Sequence, residues 1–125
     1  MLARYKIYRG KRPPDEFLPD SIRQDTRKHT SHYLRPTAEI VESYLAEPTT
    51  EAWKTFKLDY LHVLEDRHNA DSQPYEKLAE LAMNSDVFLG CSCPTAKNPN
   101  VQHCHTVLSL QFMRKHYPAI SIELP

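Results

Sequence analysis

The stretch Asp86-Val87-Phe88-Leu89-Gly90-Cys91-Ser92-Cys93, followed ten residues later by His103-Cys104-His105, is the part of the chain that decides the fold. The apolar run before Cys91 follows a turn signal and is typical of a buried β-strand. Residues 101–116 predict a helix with apolar side chains around most of its circumference. All three cysteines and two of the seven histidines therefore lie at a strand-to-helix connection, where open α/β folds bind ligands.

The remaining patterns extend this unit to a complete domain. Residues 4–9 and 119–124 alternate polar and apolar side chains and predict strands, while residues 11–35 predict mostly irregular structure with a short strand at 32–34. Helices are predicted from Thr37, from Thr49 or Thr50, and over residues 74–83. Strand 86–91, helix 101–116 and strand 119–124 predict a β-α-β unit with parallel strands. We expect a single α/β domain over residues 1–125, with a small, partly parallel sheet flanked by helices.

The second helix has the clearest pattern. Its large side chains recur at helical spacing on one face, at Trp53, Phe56, Tyr60, Leu61 and Leu64. Aromatic residues at this spacing also suggest a binding surface, but they more often form the core. We therefore interpret them as core residues.

Composition limits the possible functions. Sixteen basic residues balance sixteen acidic ones, so no overall field attracts nucleic acid or anionic lipid, and we expect neither as a partner, although a local basic patch remains open. Two glycines in 125 residues exclude a glycine-rich phosphate loop. No apolar run predicts a membrane span or a signal peptide. An odd number of cysteines argues against a disulfide framework, and we expect reduced thiols in the cytoplasm.

A metal site is one interpretation of the cysteine and histidine cluster. Zinc and iron are held by thiolate and imidazole ligands, and the candidate ligands are Cys91, Cys93, His103, Cys104 and His105. Successive helical residues diverge by about 100°, so all three residues of the 103–105 group cannot face one ion if they are helical. Cys93 with one face of that group is the favoured arrangement.

A thiol-based site is the second interpretation, with Cys93, Cys104 and His105 as candidate catalytic residues. A helix N-terminus lowers the pKa of a nearby thiol, and a histidine can serve as the base. The Cys-x5-Arg loop of tyrosine phosphatases is absent, because Pro99 and Leu110 stand six residues after Cys93 and Cys104.

Two further interpretations remain open. The N-terminus of helix 101–116 and the basic loop 23–32 could form an anion- or nucleic-acid-binding module, through Arg23, Arg27, Lys28 and His29. Alternatively, the chain is a structural or interaction protein whose cysteines are simply buried in the core. Substrate, oligomeric state and the identity of any metal do not follow from these patterns.

The same residues carry a resemblance to a known family. The strand that ends in Cys91, with Cys93, the polar loop and the His103-Cys104-His105 start of a helix, resembles the domain of unknown function 488 family. The Trp53, Phe56 and Tyr60 spacing is also similar to that of a helix in the family, and the resemblance covers about residues 50–118. It implies a compact cytoplasmic α/β domain, with no assigned activity. Thr106 stands where the family often has arginine, so the resemblance carries no anion-binding group to that position.

Overall fold

Three parallel strands form the centre of the protein, which we describe from a computed structural model of residues 1–125. The strands are β1 (Leu2–Lys6), β2 (Ile22–Asp25) and β3 (Val87–Cys91), and their order in the sheet is β1-β3-β2. The register pairs Lys6 with Cys91 and Asp25 with Gly90. Because the strands are parallel, the chain segments that follow all three of them begin at the same edge of the sheet.

The central position of β3 explains its apolar sequence. A strand paired on both sides and covered on both faces needs apolar side chains throughout. Val87 and Leu89 are completely buried, and Gly90 and Cys91 are also buried. The predicted buried strand before Cys91 is therefore confirmed.

Four helices surround the sheet: α1 (Ala38–Ala46), α2 (Thr50–Ala70), α3 (Gln73–Asn84) and α4 (His105–His116). Thr37 and Thr49 cap α1 and α2, since their side chains accept hydrogen bonds from the Ile40 and Ala52 amides. Pro74 lies in the first turn of α3, where its missing N–H costs nothing. The predicted helices are present, and the α/β fold with a small parallel sheet is confirmed.

The aromatic face of α2 lies in the core, as predicted. Trp53, Phe56, Tyr60 and Leu64 are all buried. The Tyr60 hydroxyl lies 2.6 Å from the Leu34 carbonyl oxygen and 2.5 Å from Ser109 Oγ. Tyr60 therefore ties α2 to the loop before α1 and to α4 through a fully satisfied polar group.

The proline-rich first third contains more regular structure than its sequence indicates. Strand β2 forms within residues 11–35, and the strand predicted at 32–34 does not form. The first strand covers Leu2–Lys6 rather than residues 4–9. Residues 22–25 carry a single apolar side chain, so their strand conformation comes from hydrogen bonding to β3 rather than from their own pattern.

The C-terminal segment also departs from the prediction. The strand predicted over residues 119–124 is reduced to one parallel bridge between Ile122 and Leu2, so the segment lies beside β1 rather than β3. Two hydrogen bonds hold it, from the Leu2 amide to the Ser121 carbonyl and from the Glu123 amide to the Leu2 carbonyl. Helix α4 begins at His105 rather than at residue 101. No helix in the structure combines the length and apolar character needed to span a membrane.

Candidate functional site

The three cysteines meet at the carboxyl edge of the sheet. Cys91 is the last residue of β3, Cys93 follows in the connection to α4, and Cys104 is the N-cap residue of α4. Their sulfur atoms all lie within 4.8 Å of one another. The late start of α4 makes this possible, because an extended Cys104 is free of the angular spacing that helical residues would impose.

Contacts among the three thiols give them different pKa values. Cys91 and Cys104 are buried, while Cys93 is half-buried, and none forms a disulfide. Hydrogen bonds from the Cys91 and Cys93 thiols hold the pKa of Cys104 well below its ordinary value. The same contacts with Cys104 raise the pKa values of Cys91 and Cys93. The cluster therefore favours a single thiolate on Cys104, at the N-terminal end of a helix.

Thr106 contacts the sulfur of Cys104, and Arg4 contacts Thr106. Thr106 Oγ1 is 3.1 Å from Cys104 Sγ, and Arg4 Nε donates a hydrogen bond to the same oxygen over 3.0 Å. Since the hydroxyl accepts from Arg4, its own proton is free to point at the Cys104 sulfur. Arg4 also donates to the Cys93 carbonyl oxygen over 2.5 Å. The guanidinium of Arg4 therefore lies beside residue 106, the position at which the family that the chain resembles often has an arginine.

Asn98 organises the loop between β3 and α4. Its side chain is buried and donates to Cys93 Sγ over 3.4 Å and to the His103 carbonyl oxygen over 2.7 Å. Its Oδ1 accepts a hydrogen bond of 2.9 Å from the Tyr44 hydroxyl. One amide therefore fixes the position of Cys93 relative to α1 and to the residues that precede α4.

His105 lies beside the cysteines, outside their sulfur cluster. Its Nε2 is 2.8 Å from Thr26 Oγ1, and the Thr26 hydroxyl donates to the Gly90 carbonyl oxygen over 3.0 Å. Because that hydroxyl has one proton, Thr26 accepts from His105, which places a proton on Nε2. His105 also lines the cavity described below and contributes to the low pKa of Cys104.

His103 has a different position from the one predicted for a metal ligand. Its ring stacks on Trp53, with centroids 4.9 Å apart and an angle of 18° between the planes. Its Nδ1 lies 3.5 Å from the Tyr44 hydroxyl. The residues whose ligand atoms converge are the three cysteines alone, so neither His103 nor His105 joins this group.

A cavity of about 650 Å³ opens beside the sulfur cluster. Cys91 and Cys93 line it, whereas Cys104, whose sulfur lies 3.1 Å from Thr106 Oγ1, does not. The segments that follow all three strands contribute to the lining, and α1 adds Val41 and Leu45. No aspartate or glutamate lines the cavity, while five side chains are cationic: Lys6, Arg9, Arg27, Lys28 and Lys97.

The predicted basic loop is only partly directed at this cavity. Arg27, Lys28 and His29 line it, but Arg23 lies on β2 outside it. Asp25 pairs with Arg27 through contacts of 2.8–3.2 Å. A weaker pair joins Lys28 to Glu42 at 3.4 Å.

His32, at the end of the same loop, carries no charge near neutral pH. Burial is the main cause that lowers its pKa to about 4. The neutral ring is anchored through both nitrogens, since Nε2 lies 2.6 Å from Gln24 Oε1 and Nδ1 accepts from the Leu34 amide over 3.0 Å. His32 is therefore a structural part of the loop rather than a member of a basic patch.

A family model described as the active DUF488-N3 subclade, DUF488-N3a, matches residues 4–117. The chain belongs to the DUF488 family. This confirms the resemblance seen in the sequence and extends it to the first third of the chain, which includes Arg4, Thr26 and the cavity lining after β1. No curated protein and no solved structure matches the chain significantly.

Several site residues of this DUF488 protein have no signal in the sequence. Arg4 and Thr26 are separated from Thr106 and His105 by 102 and 79 residues, so only the folded chain brings them together. Lys6 and Arg9 reach the cavity because β1 ends beside Cys91. Asn98 could have been proposed from the sequence, because it is an amide in the short loop between Cys93 and Cys104.

Proposed function

We propose that this protein binds a thiophilic metal ion, with zinc favoured over iron, through Cys91, Cys93 and Cys104. The observation that carries this proposal is the convergence of the three sulfur atoms within 4.8 Å. Sulfur ligands of one tetrahedral zinc ion lie about 3.8 Å apart, because Zn–S bonds are about 2.3 Å long.

The electrostatics of the cluster support metal binding. Metal ligation requires thiolates, and the low pKa of Cys104 means that one is available without an external base. The raised pKa values of Cys91 and Cys93 reflect their role as donors to that thiolate. A divalent cation would replace those donated protons, so metal binding should release protons.

The position of the cavity favours a reactive metal centre rather than a purely structural one. Three protein ligands leave one position of a tetrahedral ion open, and catalytic zinc sites have this arrangement. Because Cys91 and Cys93 line the cavity, a molecule bound in the cavity would lie close to an ion held by these residues. The description of the matching DUF488 subclade as active agrees with a chemical role.

The proposal is tested by measuring the metal content of protein purified without chelators. Wild-type protein is expected to contain about one zinc ion per chain, and Cys93→Ser and Cys104→Ser are each expected to lose most of it, because removing one of three thiolates disables the site. Cobalt substitution gives a second readout, since thiolate ligation produces a sulfur-to-cobalt charge-transfer band that Cys93→Ser should weaken.

Ser92→Ala is the matched control, because Ser92 lies between two of the ligands and contributes no ligand atom. It should keep the metal content of the wild type. Metal-free wild-type protein that also fails to bind added zinc would refute the proposal.

Thiol chemistry is the second candidate function, and one observation favours it. The pKa of Cys104 lies well below that of an ordinary thiol, as in thiol enzymes. Cys93 is less buried than the other two cysteines and borders the cavity, and His105 lies beside Cys104. On this proposal Cys93 and Cys104 form the reactive pair and His105 serves as the base.

Alkylation at slightly acidic pH separates the two candidates. A reactive pair predicts rapid labelling of Cys93 or Cys104 in metal-free protein, with little dependence on added chelator. A metal site predicts that zinc protects the cysteines and that a chelator removes the protection. If Cys93→Ser and Cys104→Ser change stability alone, the cysteines are packing residues of a structural or interaction protein. Both chemical candidates need reduced thiols, which fits the cytoplasmic location that we propose.

A further inference from the structure

The cavity beside the cysteines concentrates positive charge in a protein with no net charge. Five of the sixteen lysine and arginine residues line it, and none of the sixteen acidic residues does. The asymmetry is local, so the balance of charge over the whole chain conceals it. A concave surface lined with one sign of charge focuses the electrostatic field and attracts ligands of the opposite sign.

Three of these cations have no carboxylate partner. Arg27 is paired with Asp25, and Lys28 contacts Glu42. Lys6, Arg9 and Lys97, in contrast, form no salt bridge, and the nearest aromatic contact of Lys6 is the ring of Tyr8, 4.6 Å from its Nζ. Lys6 is the last residue of β1, Arg9 lies just after that strand, and Lys97 lies in the connection between β3 and α4.

Part of the remaining lining is apolar or aromatic. Ile7 and Tyr8 follow β1, Pro36 precedes α1, and Val41 and Leu45 come from α1 itself. A volume of about 650 Å³ lies within the range of pockets that hold small organic molecules, about 300–1,000 Å³. The cavity therefore offers cationic side chains for an anion and apolar side chains for an organic group.

We propose that the cavity binds a small phosphate ester with an apolar or aromatic group, and presents it to the cysteine site. Several cations around one space suit a phosphate dianion, which accepts charge-assisted hydrogen bonds on three oxygens. The inference deepens the proposed function, since it assigns a ligand class to the same site. Anion binding itself depends on Lys6, Arg9 and Lys97, so it can be measured independently of the metal.

Calorimetric titration of the full chain with phenyl phosphate, inorganic phosphate and benzyl alcohol tests this inference. Phenyl phosphate is expected to bind most tightly, inorganic phosphate more weakly, and benzyl alcohol not at all. Lys97→Gln and Arg9→Gln should each weaken phenyl phosphate binding about three- to tenfold, because each removes one charged contact. Lys57→Gln, an exposed lysine on α2 outside the cavity, is the matched control and should have no effect.

Zinc content is measured on the same samples to separate the two proposals. Phenyl phosphate binding without zinc would support the anion site and contradict the metal site. Stoichiometric zinc with no phenyl phosphate binding, or with binding that Lys97→Gln and Arg9→Gln leave unchanged, would overturn the inference. Tighter binding of a single-stranded oligonucleotide than of phenyl phosphate would also overturn it, since the ligand would then be nucleic acid.

Discussion

Arg4 on β1 donates a hydrogen bond to Thr106 in the first turn of α4, over 3.0 Å and across 102 residues of sequence. This contact connects the edge of the sheet to the helix whose N-cap residue is Cys104. It also sets the direction of the Thr106 hydroxyl, which lies 3.1 Å from the Cys104 sulfur. A positive side chain thereby acts on the thiol cluster through one intermediate hydroxyl.

Thr106→Val should raise the pKa of Cys104, because valine keeps the shape of threonine and removes the hydroxyl that faces the sulfur. We expect the free energy of unfolding to fall by about 1–3 kcal/mol, since Arg4 loses a partially buried acceptor. Ultraviolet thiolate absorbance of metal-free protein as a function of pH measures the first effect. Thr55→Val, at an exposed position on α2, should leave that titration unchanged. An identical titration in Thr106→Val would show that the hydroxyl does not stabilise the thiolate.

His32 makes the stability of the protein sensitive to mild acid. Its pKa falls from 6.5 in the unfolded chain to about 4 in the fold, chiefly because the ring is buried. Between these two values the unfolded state binds more protons than the folded state. The stabilisation is therefore complete above about pH 6.5 and is lost as the pH falls to about 4, with a total of about 3 kcal/mol. Chemical denaturation at a series of pH values measures it.

His32→Gln should flatten this part of the pH profile, because glutamine does not titrate. His62→Gln is the control, since His62 is exposed on α2. If His32→Gln kept the full loss of stability between pH 6.5 and 4, another group would be responsible.

Asn98→Ala should loosen the loop between β3 and α4. The change removes hydrogen bonds to Tyr44, His103 and Cys93 at a buried position. We expect a loss of about 1–3 kcal/mol in the free energy of unfolding and faster alkylation of Cys93. Mass spectrometry of timed iodoacetamide reactions measures the labelling, with the exposed Asn84→Ala as control. Unchanged stability and unchanged Cys93 labelling together would mean that Asn98 does not organise the loop.

Gly90→Ala should disturb the strand just before Cys91. A Cβ atom at residue 90 would lie 2.6 Å from Ile7 Cδ1 and 2.8 Å from Tyr5 Cε1, closer than van der Waals contact permits. We expect the free energy of unfolding to fall by about 1–3 kcal/mol, as for other overpacked positions. Thermal unfolding measures the loss, and Ser92→Ala is the control on the same segment. A melting temperature equal to that of the wild type would mean that Ile7 and Tyr5 move aside without cost.

Much of the fold was predictable because its determinants are local. The apolar run of β3 reflects a strand buried on both faces, and the Trp53, Phe56 and Tyr60 spacing reflects one helix face against the core. Strand β2 was not predictable, because its four residues include only one apolar side chain, Ile22, and its order comes from pairing with β3. The predicted strand over residues 119–124 does not form, for the converse reason. An alternating pattern favours a strand, but a strand also needs a neighbouring strand to pair with, and this segment pairs only with Leu2.

The sequence by itself determined that the three cysteines lie at the junction of a strand and a helix, because a hydrophobic run, a polar loop and an apolar helix are patterns of neighbouring residues. Only the tertiary structure decided which side chains meet there. The extended backbone of Cys104 brings its sulfur close to those of Cys91 and Cys93. The ring of His103 instead stacks on Trp53, and His105 lies within hydrogen-bond distance of Thr26. The positive cavity also depends on the fold, since its cations come from segments that meet only when three parallel strands end at one edge.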